Sequence, residues 1–286
     1  MKQSNQALIS VHSAVFIFGL TALFSKLIDL SALEITLLRS VFAVLALWWF
    51  IRWQKESLKL QSRNDYLIVI FLGILLATHW VTYFHAMQVS SVAVGVIALY
   101  TFPVITVFLE PMFHGERPHL QDIISALAVL FGIYLLVPEF SLEDSTTQGI
   151  LWGVFSALLF ALRNIIQGRY FSAYPARHAL FYQAAVTIAV LLPFGGQMIA
   201  DVSNWQWGQL LLLGVVFTAL PHTLFAHSLL HFKAKTTSLI ACLQVVYATL
   251  FAALLLGEMP ELMTVLGGMI VVAAAMYESY SAGRRN

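Results

Sequence analysis

Ten runs of about twenty apolar residues, each long enough to cross about 30 Å of hydrocarbon as a helix, dominate this chain and name its solvent. They cover 7–28, 34–53, 66–87, 92–113, 119–137, 149–170, 178–200, 206–231, 236–256 and 260–280. None alternates with period two, so a membrane β-barrel is disfavoured. Helices satisfy every backbone group internally, which lipid demands. The composition agrees: 60% of the residues are hydrophobic and 10% are charged, against about 25% charged in soluble domains. An ordinary soluble enzyme and a disordered chain are both excluded. The breaks are too short for a globular domain, so function must reside inside the bundle. The first run, from Ala7 to about Phe24, outlasts a signal-peptide core and lacks a small-x-small cleavage pattern after it. It reads as a retained span.

Charge orients the bundle. Twelve of fifteen Lys and Arg lie at alternate breaks or ends: Lys2; Arg52, Lys55, Lys59 and Arg63; Arg117; Arg169 and Arg177; Lys233 and Lys235; Arg284 and Arg285. The remaining breaks carry Asp29, Glu139, Glu143, Asp144, Asp201, Glu258 and Glu261 instead. Positive residues stay cytoplasmic, which predicts an even number of spans with both termini in the cytoplasm. Six of seven tryptophans (Trp48, Trp49, Trp53, Trp152, Trp205, Trp207) fall near the expected interfaces, and Trp80 does not.

A repeat appears at a separation of 142–143 residues. Gly115-Glu116-Arg117-Pro118 matches Gly257-Glu258-Met259-Pro260, Ser13-Ala14 matches Ser156-Ala157, and Lys26 falls opposite Arg169. Five spans per half is an odd number, so the second half enters the membrane upside down. Inverted repeats of this kind build transporters. The expected fold is an all-α integral membrane protein of ten transmembrane helices in two inverted five-helix repeats, residues 1–143 and 144–286.

With Pro103 in the fourth span, the two Gly-Glu loops, Arg39 in the second span and His79-Trp80-Val81-Thr82-Tyr83-Phe84 in the third, the sequence resembles the EamA-type members of the drug/metabolite transporter superfamily. The resemblance spans nearly the whole chain. It implies export of amino acids and related metabolites through a central cavity lined mainly by the first, third, fourth, sixth, eighth and ninth spans. The expected location is a bacterial inner membrane. The proline expected in the ninth span, opposite Pro103, is Val245 here.

Polar groups inside spans are costly and require a reason. Arg163 lies about 10 Å from the cytoplasmic end of the sixth span at 1.5 Å per residue. It has Asn164 beside it and Gln167 one turn away on the same face. This cluster reads as an anchor for a carboxylate or phosphate, or as a snorkelling cation. His79 and His222 fall at mid-depth of the third and eighth spans, at nearly equivalent repeat positions. Each is a substrate or proton site, or a neutral buried His bonded to a neighbour. Tyr83, one turn from His79, shares its face, with Trp80 beside it; Tyr100 precedes Pro103 by one turn, and Gln244 sits at comparable depth in the ninth span. Pro103 and Pro221 are the expected hinges. Glu110, near the cytoplasmic end of the fourth span, is a proton-binding candidate whose simpler reading is a pair with Arg117 or a lysine. For Arg39 a structural role is expected, by snorkelling or pairing with Glu34. For Lys26 a solvated pair with Asp29 is expected.

The sole cysteine, Cys242, excludes an intrachain disulfide and a thiolate metal cluster, and reads as a small buried hydrophobe. His227 and His231 have metal-ligand spacing but no third ligand nearby. No cofactor is expected. There is no Gly-x-x-x-x-Gly-Lys-Ser/Thr loop, His-Glu-x-x-His stretch or Gly-x-Ser-x-Gly elbow, so neither nucleotide-driven pumping nor membrane-embedded hydrolysis is indicated. A net charge of +1 without a dense basic stretch argues against nucleic acid. The expected partners are a small-molecule metabolite and the lipid bilayer. Small-residue steps such as Gly149–Gly153 and Ser125–Ala128–Gly132 permit close helix packing, including in a homodimer. The leading expectation is alternating-access export of a zwitterionic or anionic metabolite, proton-coupled through a histidine. Export of lipophilic or cationic drugs over Trp80, Tyr83 and Tyr100 is the alternative; a channel is a further one.

Overall fold

The computed structural model describes residues 2–114, 120–136, 141–195, 202–229 and 240–285. Among them every regular element is helical. Helix α1 spans Lys2–Leu27, α2 Ala32–Trp53 and α3 Arg63–Val89. The fourth span is split into α4 (Val92–Leu99) and α5 (Phe102–His114), and α6 (Leu120–Leu136) is the fifth span. The sixth and seventh spans are α7 (Ser145–Tyr170) and α8 (Ala176–Gly195). In the eighth, α9 (Asn204–Gly214) passes through a π-helical turn (Val215–Ala219) into α10 (Leu220–Leu229). The ninth contains α11 (Leu243–Phe251) and a second π turn (Ala252–Leu256), and α12 (Leu262–Arg285) is the tenth. Seven described helices are long and apolar enough to cross a membrane, and three shorter apolar helices (Ile123–Leu136, Leu243–Leu256 and Leu262–Tyr277) fall in the fifth, ninth and tenth spans.

The polar breaks supply the caps. Ser31 and Glu34 form a reciprocal capping box at the start of α2, as do Ser62 and Asp65 for α3 and Ser203 and Gln206 for α9. Ser91 caps α4 and Asp144 caps α7. These side chains satisfy amide groups that lipid leaves without partners. The outer surface carries large apolar side chains such as Ile9, Leu127 and Leu254, as hydrocarbon requires. Trp48, Trp49, Trp53, Trp152 and Trp205 are exposed, whereas Trp80 is buried.

The main packing sets the sixth span against the third and fourth, the first against the eighth and ninth, the seventh against the second and third, and the fifth against the tenth. The small-residue steps are used within the chain. A Cβ on Gly149 would stand 2.1 Å from Ser90 Oγ, and one on Gly153 would stand 2.5 Å from the Ala98 Cβ. These two glycines let α7 approach the α3–α4 turn and α4 itself.

Neither expected ion pair, Arg39–Glu34 or Lys26–Asp29, forms among the described residues. Glu34 is committed to its capping box, with Oε2 2.7 Å from the Ser31 amide, so it does not serve Arg39. Lys26 does not rely on Asp29. Its ammonium reaches the carbonyls of Gln88 (3.2 Å) and Ser90 (2.9 Å) at the end of α3, and Glu258 at 3.8 Å. The other Glu258 oxygen accepts from the Val92 amide at 2.9 Å. Gly257 delivers Glu258 there by closing the ninth span in the left-handed region, at φ 71°, where a side chain would be strained. The equivalent loop of the first half, with Glu116 and Arg117, lies outside the described residues. On the opposite side of the bundle Arg177 grips Glu56 through two donors, which holds that carboxyl below its usual range.

Candidate functional site

Three spans lose regular helical structure at mid-depth, and the polar side chains gather there. In the fourth span, the Thr101 amide turns back to Ala98 (3.3 Å) and α5 restarts at Phe102. Pro103 sits in the first turn of α5, where its missing N–H breaks no helical bond. In the ninth span a turn falls at Cys242, with the Val245 amide 3.3 Å from the Cys242 carbonyl. Cys242 lies 142 residues after Tyr100, so the second half breaks at the matching position without a proline. Val245 therefore does not straighten the ninth span. The two breaks face each other: the Tyr100 hydroxyl donates to the Ala241 carbonyl and lies 3.1 Å from Gln244 Oε1.

The eighth span is interrupted differently. Pro221 removes the amide that would serve the Phe217 carbonyl. That carbonyl lies 3.0 Å from Thr21 Oγ1 of α1, whose proton is shared with the Ile17 carbonyl at 2.9 Å. Replacing Thr21 by Val should lower stability by about 1 kcal/mol. In a Pro221→Ala background, where an amide is restored, the same change should cost less. Denaturation of the four proteins in a double-mutant cycle checks this coupling.

The two histidines have defined tautomers. Ser156 Oγ donates to the His79 carbonyl at 2.8 Å, which uses its only proton. The His79 Nδ1, 2.8 Å from that same oxygen and 3.1 Å from the Ser156 carbonyl, must therefore carry hydrogen. His222 Nδ1 meets the Thr218 carbonyl at 2.7 Å and is likewise the donor. In both rings Nε2 is left as the acceptor. His79 stacks on Tyr83 (6.1 Å, 9°) and Phe160 (4.7 Å). His222 stands edge-on to Phe18 (4.8 Å) and Trp80 (6.3 Å). The buried Tyr83 hydroxyl has no well-formed hydrogen bond, and Gln244 lies alongside it. His79, Trp80, Tyr83, Tyr100, His222 and Gln244 thus form one continuous set.

Arg163 borders this set, within electrostatic reach of both histidines. Its Nε donates to Gln183 Oε1 (2.8 Å) and its Nη1 to Asn164 Oδ1 (3.0 Å), while Gln183 donates to Gln167 Oε1 (2.8 Å). The cation is held by neutral amides rather than an acid. Gln183, on the seventh span, and Ser156 were not anticipated. Ser156 lay in the repeat match Ser13-Ala14/Ser156-Ala157, and Gln183 is a lone amide in an apolar run, the kind of residue that needs a reason in lipid.

Arg39 overturns its expected placement. It neither snorkels nor pairs with Glu34; it is 2% exposed. Its guanidinium carbon sits 4.1 Å from the Trp80 ring centroid and 4.6 Å from that of Phe84. The second span, absent from the expected cavity lining, therefore contributes to the centre. Glu110 is exposed on α5, about 12 Å beyond the break at helical rise. Arg117 and His231 lie outside the described residues, and those residues contain no group of three or more metal-binding side chains.

The sequence matches the model of the EamA-like transporter family twice, over residues 5–137 and 147–279. It is 26% identical to an uncharacterized transporter, YxxF, of Bacillus subtilis, covering 95% of this chain and 89% of that one. The pseudopaline exporter CntI of Pseudomonas aeruginosa is 24% identical over 86% of both chains. An S-adenosylmethionine uptake transporter of Rickettsia felis is 24% identical over 88% of this chain and 84% of its own. One solved crystal structure, 16% identical, superposes with a TM-score of 0.67 over 99% of both chains, and so shares the fold.

Proposed function

Since the chain belongs to the EamA-like transporter family and is a membrane transporter of small molecules rather than an enzyme, we propose that it exports zwitterionic or anionic metabolites, amino acids or their relatives, by alternating access. One observation carries this reading: Arg163 lies within electrostatic reach of His79 and His222 and is held by uncharged amides. A cation without an acid favours cargo that brings a negative charge. A lipophilic cation, the alternative cargo, would find the Trp80 ring already covered by Arg39. The relatives' names include both an exporter and an uptake transporter; outward transport is our reading for this chain.

In this proposal residues 1–143 and 144–286 are inverted modules. The odd span count and the double family match support that division. So do the helix contacts, because exchanging the halves carries the third–sixth contact onto the eighth–first. The alternation of basic and acidic breaks supports cytoplasmic termini in a bacterial inner membrane. Pro103, Pro221 and the Cys242 turn are where the modules flex. The acceptor Nε2 atoms of His79 and His222 are the proposed proton-coupling sites. Glu110 is not retained as one, being exposed and distant from the breaks.

Counterflow in proteoliposomes, with an amino-acid and organic-acid panel at two pH values, tests the proposal. At least one zwitterionic or anionic compound should exchange, faster with a pH gradient than without, and Arg163→Ala should slow it about tenfold or more. Unchanged exchange in folded Arg163→Ala protein would remove the anchor assignment. Exchange of lipophilic cations alone would replace the cargo class.

A further inference from the structure

Resting on that reading, we propose that Arg39 is the primary anchor for the cargo and that the group it takes is a carboxylate. Nothing in the family match or in the relatives' names assigns this residue a role. Its Nε and Nη2 are buried and without a hydrogen-bond partner, and no ion pair reaches it among the described residues. Those two nitrogens form one edge of the planar guanidinium, the edge that takes both oxygens of a carboxylate in parallel bonds. The aromatic contacts with Trp80 and Phe84 compensate burial only in part. An unpaired cation in a protein interior is unfavourable, so Arg39 favours an occupant that brings a negative charge.

The surroundings fit such an occupant. Arg39 lies within electrostatic reach of Tyr83, His79 and His222, which ties it to the facing breaks. Arg163 has Nε and Nη1 engaged by amides, whereas Arg39 offers an unused edge. Trp80, Tyr83 and Phe84 supply apolar walls for the remainder of the molecule. Because Arg39 is closed over, one arm of the alternating cycle must uncover it for cargo to enter.

The test uses full-length protein in lipid nanodiscs and matched probes: L-leucine with L-leucinamide, L-phenylalanine with L-phenylalaninamide, and phenylacetate with phenylacetamide and phenyl phosphate. Ligand-dependent thermal shift reads binding, and counterflow of the same compounds reads transport. Acids should bind about a hundredfold or more tightly than their amides, because an amide leaves the buried cation without its counter-charge. Arg39→Gln should bring the acids down to the level of the amides while leaving amide binding intact, a change in selectivity that loss of packing alone does not produce. Arg39→Lys should fall between, since an ammonium cannot make the paired in-plane bonds. If Arg39→Gln does not fold, the wild-type acid–amide comparison and Arg39→Lys decide. Equal binding of acids and amides, tighter binding of phenyl phosphate than phenylacetate, or retained acid selectivity in Arg39→Gln would each overturn the assignment. Should the amides be carried as well as the acids, Arg39 falls and the carrier reading stands. Should no probe bind or exchange, both fall.

Discussion

Reversing both charges of the Lys26–Glu258 pair is expected to leave the protein less stable than wild type, unlike the rescue that an ordinary ion pair shows. Each partner also serves a helix end. Lys26 answers the carbonyls of Gln88 and Ser90, where α3 stops. Glu258 answers the Val92 amide, where α4 begins. Helix termini have fixed polarity, positive at the N-terminus and negative at the C-terminus. Lys26→Glu sets a carboxylate against carbonyl oxygens, and Glu258→Lys sets an ammonium against an N–H. Each single reversal should cost about 2 kcal/mol through the lost cap and the adverse dipole. A partly exposed ion pair returns at most about 1 kcal/mol, so the double variant should remain at least about 2 kcal/mol below wild type. Denaturation of the purified proteins measures this. Full recovery in the double variant would reduce the contact to a simple salt bridge. Because the contact joins the end of the first span and the α3–α4 turn to the end of the ninth span, the variants also report on how firmly these spans are held together.

The second large effect is expected at Gly267, where the tenth span crosses the fifth. A Cβ there would stand 2.3 Å from the Gly132 carbonyl oxygen, and one on Gly132 would stand 2.9 Å from the Gly267 carbonyl. Both obstacles are backbone and cannot rotate aside. Gly267→Ala should destabilise by about 1–3 kcal/mol, the usual range for overpacking, and Gly267→Leu should yield no folded protein. Gly168→Ala and Gly208→Ala lie in helices with nothing within 4 Å, so they should be neutral or slightly stabilising because alanine favours helix. Yield of monodisperse protein and thermal midpoint distinguish the cases. A folded Gly267→Leu protein would show that α6 and α12 can separate without cost.

Much of the architecture was legible because lipid imposes a one-dimensional rule. A chain in hydrocarbon must bond its own backbone over a fixed length, and the ten runs follow that length. Short-range side-chain relations were equally readable: His79 and Tyr83, one helical turn apart, do stack. Pro221, an expected hinge, stands just past the π turn of the eighth span, and the carbonyl that its missing amide leaves is that of Phe217. Arg39 was misread because helical rise gives depth but not rotation. Its distance from the end of the span permitted snorkelling, while its facing directed it onto Trp80. Lys26 was misassigned because Asp29 is near in sequence, whereas Glu258 arrives only through the fold.

Periodic apolarity, alternating charge and the 142-residue repeat thus contained the span number, the two-part plan and the set of polar residues that had to be accommodated. They could not contain the pairing of those residues, since hydrogen bonds and ring contacts act over a few ångströms and each joins spans far apart along the chain. Whether a buried arginine is satisfied, as Arg163 is by Gln183 and Asn164, or left with an unused edge, as Arg39 is, depends on which face of which helix comes to rest against it.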